Sequence, residues 1–298
     1  MLITGIFHLK NSDIDLAQKY FLKAKSRSSQ FILNNYLSNS LYIWSSLDNY
    51  DLNQALLFLK KLDGRFENLK KIQKVFLNCY FNNSNTNNLF EELTSDKKID
   101  FSRYNYFYAS FVASSGKLDN AKKIVNSALK LYPRNLLLNQ YKIDLNQNNN
   151  TSSFNCKNKE HVIAEILYIT SNALSSQSIY PLSDFYLNLA KYLNKDFHSY
   201  DTLSAENFYK VDNFEDAKKV YSNLIKKGEV FQWHSSKQLA RIYIQEGKNE
   251  KAFKLLRNAF DNLTNQDIYQ IFDYAEFLKN NDKFEKSIIY YNEVINEV

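Results

Sequence analysis

Glycine and proline are almost absent from this chain of 298 residues, which contains five glycines and two prolines. An all-β fold of this length needs many more of both, because tight turns use the positive φ of glycine or the fixed φ of proline. The scarcity of helix-breaking residues, together with abundant leucine, lysine and alanine, favours helices. The composition therefore predicts an all-α fold.

Cysteine is equally rare, since Cys79 and Cys156 are the only two. Two cysteines cannot form a disulfide framework for a chain this long, and neither lies in the spacing of a metal site. We expect two free thiols, and a single bridge is the alternative.

The sequence also lacks any apolar run as long as a membrane-spanning helix. Its first residues have no basic segment, and their apolar stretch is too short for a signal peptide. We therefore expect no transmembrane segment and, by default, a cytoplasmic location.

Catalytic and cofactor motifs are missing too. The sequence contains no P-loop, no G-x-G-x-x-G fingerprint and no G-x-S-x-G elbow. No histidine has a second histidine or a cysteine at i+3 or i+4 with which to form a metal-binding helix face; the four are His8, His161, His198 and His234. We expect no enzymatic activity, no cofactor and no metal site.

The positive charge is modest, because the formal net charge is +6 and lysine and arginine alternate with aspartate and glutamate along the chain. Nucleic-acid-binding domains usually concentrate their positive charge on one face or stripe. We therefore interpret most charged residues as solvated surface and do not expect nucleic acid as a partner.

The chain does contain a repeat near its C-terminus, where residues 204–225, 238–260 and 273–295 align without gaps. A small residue lies in the middle of a first helix, and twelve residues later another begins a second helix, so the two helices can cross closely. The first set is Ala205, Ala240 and Ala275, and the second is Ala217, Ala252 and Ser287. The spacing of about 35 residues is typical of helix–turn–helix arrays.

The second helix of each unit also carries a stripe for burial. A large side chain follows the small residue by four positions and a smaller apolar one follows it by seven, which is the spacing of one helix face. These residues are Tyr221, Leu256 and Tyr291, then Leu224, Ala259 and Val294. In the unit at 102–135, Gly116 suits the turn and Pro133 ends the second helix. The pattern resembles the tetratricopeptide repeat family.

This resemblance covers nearly the whole chain and implies an α-α superhelix, a solenoid of antiparallel helix pairs with about seven to eight repeats. We expect an N-terminal array at 1–146, degenerate around 66–100, a polar loop or linker at 147–159, and a C-terminal array at 160–298.

The order of the units, with a short middle repeat and a break, is similar to that of long tetratricopeptide proteins of alphaproteobacteria. Members of that group often begin with a signal peptide, and this sequence ends inside the second helix of its last unit without a polar cap. We therefore expect the sequence to be truncated at one or both ends. A missing N-terminus would allow a periplasmic or envelope location, and uncapped end repeats would allow self-association.

The resemblance also implies a partner-binding groove lined by the first helices of the repeats. We expect this groove to use Tyr168, Asn172, Tyr209, Lys210, His234, Lys237, Arg241, Tyr269 and Phe272. The corresponding positions in other units hold Arg103, Tyr106, Ser110 and Glu165. Tyrosine and arginine are common interface anchors, and the basic spot of Lys210, Lys237 and Arg241 suits a carboxylate of the partner.

The leading interpretation is a scaffold that binds other proteins through a peptide or helix held in the groove. One alternative is a helical-repeat RNA binder whose tyrosines stack on bases, although Glu165, Glu206 and Glu276 at groove positions oppose it. The other is the superhelical arm of a larger envelope enzyme. The carboxylate clamp with which some family members hold chaperone C-termini is not expected, because Arg241 stands where that clamp needs asparagine.

Overall fold

The computed structural model describes residues 1–27, 32–96, 99–147 and 152–297. Within these ranges the regular structure is helical, with no strand, so the predicted all-α fold is confirmed. The α-helices are α1 (Leu2–Lys10), α2 (Ile14–Arg27), α3 (Ile32–Ser45), α4 (Leu52–Lys60), α5 (Glu67–Tyr80), α6 (Thr86–Ser95), α7 (Ser102–Ser114), α8 (Leu118–Leu131), α9 (Leu136–Asn146), α10 (Lys159–Ser176), α11 (Tyr180–Leu193), α12 (Ser199–Lys210), α13 (Phe214–Leu224), α14 (Glu229–Gln245), α15 (Asn249–Asp261), α16 (Ile268–Lys279) and α17 (Phe284–Glu297).

Successive helices form antiparallel hairpins, with α9 as an extra single helix, and seven of the turns share one backbone feature. Each turn contains a residue with φ between 54° and 79°. This left-handed conformation ends a helix and is easiest for glycine, but asparagine, aspartate and serine also adopt it here. The residues are Ser12, Asn82, Gly116, Ser178, Asp212, Gly247 and Asp282.

Small residues lie where the helices of a pair cross, as the repeat predicts. Ala205, Ala217, Ala240, Ala252 and Ala275 are completely buried. At the first crossing of the chain, a Cβ added to Gly5 would lie 2.5 Å from Phe21, so the ring occupies the space that glycine leaves. The solenoid of antiparallel helix pairs is therefore confirmed in the described ranges.

The chain divides into two compact units, Met1–Asn207 (unit 1) and Phe208–Val298 (unit 2). This division differs from the expected one, which placed the boundary at the polar loop 147–159. Residues 148–151 of that loop lie outside the described ranges, and residues 152–158 continue into the core of unit 1, where Phe154 and Cys156 are buried.

In unit 1 the hairpin of α10 and α11 returns to the first helices of the N-terminal pairs. Helix α10 contacts α3, and α11 contacts α1. Ion pairs hold the return, since Lys10 lies 2.6 Å from Glu160 and Lys159 lies 2.6 Å from Asp48. Phe154 packs against Phe107 of α7 with 4.2 Å between ring centroids. The segment before α10, together with α10 and α11, therefore covers the first-helix side of the N-terminal array.

The return also brings the two cysteines together. Cys79 of α5 and Cys156 form a disulfide, with their Cα atoms 6.0 Å apart, a separation that suits such a bond. The expectation of two free thiols is therefore wrong. The sequence alone could not show this pairing, because it depends on a segment 77 residues away returning to α5.

Candidate functional site

The predicted groove positions of unit 1 lie largely in its interior. Glu165 is completely buried, and the Arg103 guanidinium donates two hydrogen bonds of 2.8 Å to its carboxylate. Tyr106 and Ser110 are buried as well. The expectation that these side chains face a solvated groove is wrong, because Glu165 of α10 faces α7 and the segment before α10 covers Tyr106 and Ser110.

Aromatic rings complete the surroundings of this ion pair. The Arg103 guanidinium lies 3.9 Å from the ring centroid of Tyr168 and 4.7 Å from that of Phe197. Burial raises the pKa of Glu165, and Arg103 opposes that rise. Tyr168 is thus a partner of Arg103, while Asn172, one turn further along α10, is exposed. In unit 1 the predicted groove residues Arg103 and Glu165 therefore form an ion pair in the core. Little of the predicted groove in this unit is accessible to a ligand.

Several predicted groove side chains of unit 2 are accessible, beginning with Arg241 on α14. Arg241 is exposed, and its guanidinium lies 4.6 Å from the ring centroid of Tyr209 at the end of α12. Lys210 follows Tyr209 and is also exposed. Within the described parts of the chain, Arg241 forms no ion pair with a carboxylate of this protein, so its donors are available to a partner.

Lys237 lies one turn before Arg241 on the same face of α14. It forms an ion pair with Asp273 of α16, and its ammonium lies 5.5 Å from the ring centroid of Trp233. We did not predict Asp273 as a groove residue. It lies four residues after Tyr269, which places it on the same side of α16 as that residue. The predicted basic spot is therefore partly neutralised, and Arg241 and Lys210 carry most of its charge.

Two large aromatic side chains extend this surface along α16. Tyr269 is 39% exposed and Phe272 is 38% exposed, which are high values for residues of this size. Phe272 meets Tyr291 of α17 edge to face, with 5.8 Å between ring centroids. Together with the charged residues above they form a strip, hereafter the α14–α16 face, made of Tyr209, Lys210, Lys237, Arg241, Tyr269, Phe272 and Asp273.

The last helix exposes a further apolar surface. Phe284, Ile288, Ile289 and Ile295 of α17 are between 56% and 69% exposed. On α15 the positions that match Ile288 and Ile295 hold Phe253 and Phe260, which pack on Phe277 and Tyr274 of the following helix. Self-association through this end stays a prediction.

His234, the remaining predicted groove residue, is largely interior. Its ring lies 6.2 Å from that of Tyr221, and burial, reinforced by the charge of Lys237, lowers its pKa to about 4, while Asp273 opposes the shift. His234 is therefore neutral at pH 7 and acts as a packing residue.

We expect this burial to make the stability of unit 2 pH-dependent. An unfolded histidine binds its proton below about pH 6.5, whereas folded His234 does so only near pH 4. The stabilising effect of a neutral His234 is thus complete above pH 6.5 and is lost as the pH falls through this window. Between about pH 7.5 and about pH 5 the free energy of unfolding should fall by about 2 kcal/mol through this group.

Urea unfolding at the two pH values measures this effect. The His234→Gln variant should lose less stability on acidification than the wild-type protein, by about the same 2 kcal/mol. Equal losses in the two proteins would show that His234 titrates normally and is solvated.

The described residues show neither a metal-binding arrangement nor a spanning helix. In ranges 1–27, 32–96, 99–147 and 152–297, no group of three or more histidine, cysteine, aspartate or glutamate side chains could hold a metal ion. No helix there is long and apolar enough to cross a membrane.

Comparison with known proteins finds no matching family profile and no matching curated protein. Among solved structures, a tetratricopeptide repeat protein from Parabacteroides merdae is 12% identical, with a TM-score of 0.37 over 77% of this chain and 92% of that chain. MamA MSR-1 is 10% identical, with a TM-score of 0.29 over 66% and 96%. The human IFIT1 dimer with m7Gppp-AAAA is 14% identical, with a TM-score of 0.30 over 95% and 68%. Because these values are low, the fold assignment rests on the helix pairs described above.

Proposed function

We propose that this protein is a scaffold that binds a segment of another protein on the α14–α16 face. The observation that supports the proposal is an exposed arginine on α14 that forms no ion pair among the described residues, together with two aromatic rings about two-fifths exposed on α16, the helix that Lys237 of α14 contacts through Asp273. Exposed Arg and Tyr side chains on neighbouring rigid helices supply large contact area with polar ends, as interface anchors do.

The chemistry of this face suggests what the bound segment contains. Arg241, held against the Tyr209 ring, can donate two parallel hydrogen bonds to a carboxylate. Tyr269 and Phe272 offer apolar contact one helix away. We therefore infer a segment in which an acidic residue is followed or preceded by a large apolar one.

Affinity capture from native lysate with mass spectrometry tests the proposal. The Arg241→Glu and Phe272→Ala variants should each lose a common set of proteins, with recovery reduced about tenfold or more, because each removes an anchor of the face. Lys254→Glu changes the charge of an exposed residue on the second-helix side and should retain that set. Lys237 is left unchanged, because its replacement would also break its ion pair with Asp273.

Two outcomes would contradict the proposal. If all three variants recover the same proteins as the wild type, the α14–α16 face is not the binding surface. If recovery depends on RNA, is abolished by nuclease and falls steeply with salt, the helical-repeat RNA binder is the better interpretation.

A further inference from the structure

The first and the last helix pair of the described chain each expose large apolar side chains on one helix. On α1, Ile3 is 54% exposed and Phe7 is 53% exposed, one turn apart on the same face. On α17, Ile288 is 57% exposed and Ile295 is 69% exposed, two turns apart on one face. Each of these helices therefore has an apolar stripe that the described residues leave uncovered.

A contact inside unit 2 shows how such stripes pack in this protein. Phe253 and Phe260 of α15 pack on Phe277 and Tyr274 of α16, with 5.2 Å and 4.4 Å between ring centroids. Phe260 and Tyr274 are buried. The second helix of one pair thus presents an apolar stripe to the first helix of the next pair, and the two stripes cover each other. This contact is hereafter the repeat junction.

Ile288 occupies the position on α17 that Phe253 occupies on α15. Each residue directly follows the small side chain at the crossing of its helix pair, which is Ala252 in α15 and Ser287 in α17. The exposed stripe of α17 therefore corresponds to the half of a repeat junction that a second helix supplies.

Phe7 occupies the position on α1 that Phe277 occupies on α16. Each lies two residues after the small residue at the crossing, which is Gly5 in α1 and Ala275 in α16. Whereas Phe277 packs on Phe253, Phe7 is more than half exposed. The chain thus carries both halves of a further repeat junction, one on α17 and one on α1, and both are exposed.

The charges of these two helix pairs are opposite. Residues 1–27 contain five basic and two acidic side chains, and residues 268–297 contain six acidic and three basic ones. Ion pairs to other helices neutralise Lys10 of the first set and Asp273 of the second, which leaves formal net charges of +2 and −2. Contact between α17 and α1 therefore brings opposite charges together, whereas contact between two copies of the same helix pair would bring like charges together.

We propose that copies of this chain associate head to tail, with α17 of one copy packed on α1 of the next as α15 packs on α16. In this arrangement Ile288 meets Phe7, and Ile295 lies beside the preceding turn of α1. A second copy is the occupant that fits, because its α1 complements α17 in apolar stripe, repeat position and charge. The contact joins two different surfaces, so each dimer keeps one exposed α1 and one exposed α17, and assembly continues unless a ring closes.

Sedimentation velocity of the 298-residue chain at increasing concentration tests this proposal. We expect the weight-average mass of the wild-type protein to rise above that of a monomer between about 5 µM and about 200 µM, because association follows mass action. The Phe7→Glu and Ile288→Glu variants should each weaken association about tenfold or more, because each places an unpaired carboxylate in the apolar contact.

Two matched variants make the same change at exposed apolar positions outside the junction. Ile289→Glu alters the residue next to Ile288 on α17, but the counterpart of Ile289 on α15 is the exposed Lys254. Leu22→Glu alters α2 at a position whose counterpart on α15 is the exposed Arg257. Both variants should associate as the wild type does.

A mixture of the two junction variants distinguishes head-to-tail contact from a symmetric one. Phe7→Glu retains an intact α17 and Ile288→Glu retains an intact α1, so the mixture should form dimers with one copy of each variant and no larger species. Restored association would also show that both variants are folded.

Three outcomes would overturn the proposal. The first is a wild-type protein that stays monomeric at about 200 µM. The second is a Phe7→Glu variant that associates like the wild type while Ile288→Glu does not, which would indicate contact between two copies of α17. The third is a mixture of the junction variants that stays monomeric. None of these outcomes bears on the α14–α16 face, which contains neither residue.

Discussion

Reduction of the Cys79–Cys156 disulfide lowers the free energy of unfolding of unit 1 by about 4 kcal/mol in our account. The bond closes a long loop, with a sequence separation of 77 residues, and such a crosslink restricts the unfolded chain strongly. It also attaches the segment before α10 to α5. Its loss therefore frees the segment that leads into the hairpin of α10 and α11. Urea unfolding with and without a phosphine reductant measures the effect.

The Cys79→Ala/Cys156→Ala variant is the matched control, because reductant should not change its unfolding midpoint. A count of two free thiols in the denatured, unreduced wild-type protein would contradict the disulfide. Disulfides persist mainly in oxidising compartments, so the same thiol count on protein from its native host also tests the cytoplasmic expectation.

Glu165→Ala destabilises unit 1 by about 3–5 kcal/mol, because it leaves the Arg103 guanidinium in the protein interior without its charge partner. Removal of one member of a buried pair exposes the full desolvation cost of the other. An exposed ion pair is worth only about 0–1 kcal/mol. Chemical denaturation of the purified variant distinguishes the two cases.

A double variant provides the control for this experiment. Arg103→Met/Glu165→Leu removes both charges and keeps apolar volume, so it should cost less than the sum of the single variants. A cost below about 1 kcal/mol for Glu165→Ala would show that water reaches the pair and that the first-helix side of unit 1 is open. That result would restore the predicted groove position of Glu165.

The repeat was predictable from the sequence because its signal is local. Ala205 and Ala217 are twelve residues apart. They are small because the two helices that contain them cross closely, and no other part of the chain is needed to predict this. The turns were harder to predict, since Ser12, Asp212 and Asp282 adopt the left-handed conformation that glycine marks in the family. Their short polar side chains tolerate this conformation.

The return of α10 could not be predicted, because its contacts join residues far apart in sequence. Lys10 and Glu160 are separated by 150 residues, and no local pattern indicates that they meet. For the same reason, the sequence could not show that Glu165 in unit 1 is buried while Arg241 in unit 2, also a groove position implied by the resemblance, is exposed. A position on a first helix indicates a groove only where no other segment covers that helix.

The most direct test of the α14–α16 face is the selection of short random peptides against the intact protein, followed by affinity measurement with Arg241→Glu and Lys254→Glu. Our account predicts enriched peptides that combine an acidic with a large apolar residue, bind the Lys254→Glu variant normally and lose about tenfold or more in affinity for Arg241→Glu. Enriched peptides that bind both variants equally well would contradict it.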